Sequence, residues 1–258
     1  MRVCVIGNSH VAALKNATET AAMPLDHPLL FYALPGRAQP IVSVTEGVLH
    51  PVGPHRLATT VTGAEATGLR LADFDAIVLS ACGWYAARTA FVDRDPHHHP
   101  LGVVASAGWL SDDISTRPET VQTVSQSVFH AVVDAYVRSH ASVRLATLLG
   151  QQYGGLVLLQ PWPAPSQILI NDSTWYLNAW YGSGASRVWQ AFIEAQHLAL
   201  DAVADEMGPR VTHLGYPQAE TRAAGFMEAS WCTKDPWHAN EHYGSMVLKQ
   251  VNDHLNGA

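Results

Sequence analysis

The stretch Arg2-Val3-Cys4-Val5-Ile6-Gly7-Asn8-Ser9-His10-Val11 decides the fold. Its apolar residues run continuously rather than alternating, which predicts a strand over Arg2–Ile6 covered on both faces, as in a parallel sheet. Gly7 ends the run, and a helical pattern over Val11–Ala22 follows almost at once. A strand passing directly into a helix is the opening unit of an open α/β sheet.

The same grammar repeats outward from this unit. Strand-like runs recur at Leu29–Leu34, Asp75–Ser80, Gly155–Gln160 and Arg210–Leu214. Between them lie helical patterns over Pro118–His140, Ala185–Glu206 and Glu241–Leu255. The first of these opens on Thr116-Arg117-Pro118-Glu119, a capping box with proline in the first turn; the second ends before Gly208-Pro209, a helix stop. The alternation predicts an α/β fold, doubly wound in three layers around a central parallel sheet, as one domain over residues 1–258. Two stretches depart from it. Residues 36–70 carry short β-like pieces, Ile41–Val44 and Arg56–Val61, and read as a hairpin or lid. Residues 161–184 form a long aromatic connection of the kind that is usually functional.

Composition narrows the function. The chain has 258 residues, 48% apolar and 14% charged, and a net charge of -7, which describes a globular protein with a full-sized core. With 15 Lys+Arg against 22 Asp+Glu and no basic cluster, nucleic acid is excluded as a partner. Cys4, Cys82 and Cys232 form no CxxC pair, as in a reduced compartment. A strand opening at residue 2 leaves no room for a signal peptide, and no run approaches membrane-spanning length. The sequence thus predicts a cytoplasmic protein without a membrane partner. Its 14 histidines make its field sensitive to mild acid.

Ser9 stands where a parallel strand ends, the edge at which such sheets bind ligands. Taken alone it also reads as a helix N-cap. A dinucleotide site fits poorly, because Ser9 and Ala12 replace the second and third glycines and the second strand ends without an acidic residue. Near the far end, Asp235 and His238 are one turn apart, so the carboxylate can hold Nδ1–H and leave Nε2 as a base. Ser9, His238 and Asp235 are therefore candidate nucleophile, base and orienting acid. His238-Ala239-Asn240-Glu241-His242 matches an inverted zinc-protease pattern but lacks a fitting third ligand, and His97-His98-His99 reads as a solvated loop, so no metal and no cofactor are expected. Trp84, Trp162, Trp231 and Trp237 fall after strands or beside Asp235, and are candidate aromatic walls for a substrate.

These blocks resemble the SGNH/GDSL hydrolase superfamily. Gly7-Asn8-Ser9-His10 is similar to its nucleophile block, Asp235-Pro236-Trp237-His238 with Tyr243-Gly244 to its closing block, and Gln160-Pro161-Trp162-Pro163 to the end of its fourth strand. The resemblance implies a flavodoxin-like sandwich and metal-independent hydrolysis of a small ester, often acetyl from carbohydrate. It implies an oxyanion hole built from the Ser9 N–H, a glycine matched here by Gly36, and an asparagine after the third strand. Leu79-Ser80-Ala81-Cys82-Gly83-Trp84 carries no asparagine there, and Gly83 is the candidate backbone donor. An acyltransferase would use the same triad, and a weakly active or non-catalytic binder of a glycan or protein partner would share the fold.

Overall fold

The computed structural model describes residues 1–20, 26–33, 42–51, 57–59, 65–82, 125–171, 185–217, 226–235 and 238–257. Its centre is the sequence's opening strand. All five residues of β1 (Val3–Gly7) are buried, because helices cover both faces of the sheet and leave no solvent side. Parallel neighbours flank it: β2 (Leu29–Ala33) pairs Val5 with Phe31, and β8 (Ala76–Cys82) pairs Val5 with Val78. Beyond β8 lie β9 (Leu156–Pro161) and β10 (Val211–His213), also parallel. The parallel strands thus run β2-β1-β8-β9-β10. Counted in chain order this is 2-1-3-4-5, a doubly wound order whose switch point lies between β1 and β8.

Helix α1 (Val11–Glu19) packs against the last helix, α5 (Glu241–Gly257). Helices α2 (Gln126–Ser139) and α3 (Ala141–Gln152) pack with α4 (Ala185–Met207). Together they make the outer layers of a three-layer sandwich. The α1–α5 pairing is unusually close at one point. A Cβ on Gly244 would sit 2.2 Å from the Ala13 carbonyl oxygen, so only glycine lets the two helices approach this far. This contact joins the first and last segments of the chain. Among the described residues, no helix is long and apolar enough to cross a membrane.

One expectation is corrected, and a second gains detail. A helix over Pro118–His140 is not continuous: Ser125 is extended and caps α2, its hydroxyl accepting the Val128 N–H. Residues 116–124, with the anticipated capping box, lie outside the described residues. His140 then ends α2 and caps α3, a second helix with its own buried face at Val143, Leu145, Ala146 and Leu149. Within 36–70 the β pieces are shared between two sheets. Strands β3 (Val42–Thr45) and β4 (Val48–Pro51) form a hairpin through Glu46 and Gly47, at φ of 52° and 73°, the left-handed pair that a tight two-residue hairpin demands. β7 (Leu69–Arg70) joins them. β5 (Leu57–Thr59) and β6 (Glu65–Ala66) instead extend the main sheet antiparallel beyond β2.

Candidate active site

The site grows from the end of β1. A Cβ on Gly7 would meet Val11 Cγ2 at 2.8 Å and the Ser80 carbonyl oxygen at 2.9 Å, so glycine is needed where the chain squeezes past β8. The turn that follows is fixed by Asn8: its Oδ1 accepts the His10 N–H at 3.0 Å and its carbonyl accepts from Val11 at 3.0 Å. Position 10, not Ser9, is the helix cap, and no side chain caps α1. The Ser9 hydroxyl is left for another partner.

That partner comes from the other end of the chain. Ser9 Oγ lies 3.0 Å from His238 Nε2, and His238 Nδ1 lies 2.7 Å from Asp235 Oδ2. A carboxylate only accepts, so Nδ1 carries the proton and Nε2 presents a lone pair to the Ser9 O–H. The ring is thus poised as a general base with its far edge held by a negative charge. The His238 and Asp235 side chains are 38% and 48% exposed, so water reaches this end of the site.

Local chemistry explains why the loop takes this shape. The Thr233 N–H donates to the His238 carbonyl at 2.8 Å, and the His238 N–H to the Asp235 carbonyl at 3.2 Å. The turn is therefore closed on itself, with Asp and His on one side. Asn240 anchors it. Its Oδ1 accepts from the N–H groups of His242 and Tyr243, capping α5, while its Nδ2 donates to the carbonyls of Ser230 and Cys232. One side chain so ties the acid–base loop both to the helix and to the 3-10 turn Ala229–Trp231.

Across the switch point, β8 ends in a bulge. Ala81 has φ of 62°, a strained conformation for a residue with a Cβ, and the β8–β9 register shifts between Leu79 and Cys82. Gln160 holds the kink: its Oε1 accepts from Ser80 Oγ at 2.9 Å and the Ala81 N–H at 3.1 Å. The thiols nearby are not rival nucleophiles. Burial pushes Cys82 up to about 12 and raises Cys4 and Cys232, so all stay protonated.

The structure brings Ser9, Asp235 and His238 together. Gly36, Gly83, Trp84 and Trp237 lie outside the described residues, as do His97-His98-His99. Trp162 and Trp231 are buried, 7% and 5% exposed; the Trp162 ring lies 4.1 Å from that of His10. Within the zinc-like pattern, both nitrogens of His238 are engaged by Ser9 and Asp235. Sequence reasoning missed His10 and Asn240. Asn240 carried a readable signal, since an asparagine immediately before a helix is a preferred cap; the environment of His10 is set by tertiary contacts alone.

No family model matches the chain, and no curated protein matches it. Among solved structures it is similar to the crystal structure of a DUF4886 family protein from Bacteroides uniformis ATCC 8492, at 11% identity and a TM-score of 0.43, over 100% of this chain and 83% of that one.

Proposed function

We propose that this chain is a serine ester hydrolase of the SGNH/GDSL kind, acting on a small ester, with O-acetylated saccharides as the favoured substrate class. The observation that carries the reading is the hydrogen-bonded chain from Ser9 Oγ through His238 to Asp235 at 3.0 and 2.7 Å. Ser9 Oγ attacks the ester carbonyl carbon as its proton passes to His238 Nε2, and Asp235 stabilises the imidazolium. The carbonyl oxygen becomes an oxyanion beside the Ser9 N–H, just ahead of the first turn of α1, where the positive end of the helix dipole favours negative charge. The C–O bond to the alcohol breaks, and the alcohol leaves with the proton from Nε2. Water then repeats the sequence on the acyl-enzyme, releasing the acid and restoring Ser9. The exposure of His238 and Asp235 favours hydrolysis over transfer, because water competes freely for the acyl group.

The test is hydrolysis of p-nitrophenyl acetate and of acetylated oligosaccharides by the wild type and by Ser9→Ala. Wild-type turnover should vanish in the variant, while stability changes by no more than about 1 kcal/mol, since Ser9 caps nothing and surface changes are mild. A fully active Ser9→Ala protein would refute the reading.

A further inference from the structure

His10 follows the nucleophile directly, yet its side chain points into the protein and is 2% exposed. Its ring lies 4.7 Å from that of His238, with the planes only 18° apart, and 4.1 Å from the tilted ring of Trp162. Neither ring nitrogen has a hydrogen-bond partner among the described residues. A buried imidazole whose nitrogens meet no polar partner among the described residues is unfavourably placed by itself, so its position beside the base calls for a reason.

The geometry of the base supplies one. The N–H and the lone pair of an imidazole lie in the ring plane, so the bonds to Asp235 at Nδ1 and to Ser9 at Nε2 hold the ring at two points of its rim. They leave the ring able to tilt about the line joining them. A flat neighbour against one face removes that freedom. The face of an aromatic ring is also negative and attracts a cation, and His238 becomes a cation whenever it takes the Ser9 proton. For this the neighbour must itself stay uncharged. Burial, with the adjacent His238, pushes His10 down to about 3, against a smaller opposing pull from Asp235.

We propose that His10 is a positioning residue for His238: its ring face, stacked on the base and backed by Trp162, fixes the plane of the base and stabilises the imidazolium. The kinetic consequence rests on the ester-hydrolase reading; the coupling of the two rings does not.

Three variants test it. His10→Phe keeps a ring face without nitrogens, whereas His10→Leu and His10→Gln fill the slot without one. In folded protein, followed by thermal unfolding, the NMR titration midpoint of the His238 ring should move to lower pH by about half a unit in the Leu and Gln variants. It should stay near the wild-type position in His10→Phe. In ester hydrolysis, kcat should fall about tenfold in Leu and Gln with KM within about twofold, and be largely kept in Phe. A displaced midpoint in a wild-type background that hydrolyses no ester would sink the hydrolase reading and still support the coupling. Equal midpoints in all four proteins, or a Phe variant that falls with Leu, would overturn the proposal.

Discussion

A serine at the entrance to a helix can use its hydroxyl to cap free N–H groups or to meet a reacting partner. In this chain Asn8 and the backbone complete the turn, and Ser9 Oγ faces His238 instead. The spacing of Asp235 and His238 was legible in the sequence because a turn closed from residue i to i+3, as the His238 N–H closes onto the Asp235 carbonyl, can place two such residues on one side. What Asp235 contributes can be measured. Asp235→Asn removes the charge that favours the imidazolium, and its amide N–H can donate to Nδ1 and select the wrong tautomer. It should lower kcat by about 100- to 10,000-fold while KM changes little, towards the smaller loss because Asp235 is half exposed and water screens it. Unchanged kcat would remove Asp235 from the mechanism. Asn240 and His10 were less legible, since their roles arise only when the loop folds back on α5 and α1.

At the scale of elements, the site exists because α1 and α5 touch. One carries Ser9 at its entrance and the other follows His238 by three residues, so their separation sets the Ser9–His238 distance. Gly244→Ala forces a Cβ against the Ala13 carbonyl. It should lower stability by about 1–3 kcal/mol in urea unfolding and reduce activity in the surviving folded protein. Gly154→Ala, where nothing lies within 4 Å of the added carbon, is the control and should be neutral or slightly stabilising. Equal effects of the two would deny the α1–α5 contact its positioning role. The strands of the parallel sheet were readable because continuous apolar runs leave little else to form. β6 and β7 were not, because two-residue strands carry no period. α3 was missed because its apolar face follows His140 immediately, with no glycine or proline to announce a new helix.

At the scale of the whole molecule, histidine links folding to acid. Burial pushes His10 down to about 3 and His140 to about 4, whereas an unfolded histidine takes up its proton near 6.5. Below that value the unfolded chain binds protons that the folded chain refuses, so stability is retained above about pH 6.5 and falls as pH drops towards 4. Each residue contributes up to about 1.4 kcal/mol per pH unit in that window. His140→Asn keeps a good helix cap and removes one titrating group. Its urea-unfolding free energy should therefore decline less steeply between pH 6.5 and 4 than that of the wild type; identical slopes would show that His140 is not held neutral. The chemistry of Ser9 can be read from one peptide. Cleavage after Arg2 and Lys15 releases Val3–Lys15, whose single hydroxyl side chain is Ser9. Mass spectrometry of protein treated with a fluorophosphonate should place one adduct on that peptide, absent in Ser9→Ala and slow to form in His238→Ala. An unmodified Val3–Lys15 peptide from protein that hydrolyses esters, or an adduct that persists in Ser9→Ala, would contradict the assignment of Ser9 as nucleophile.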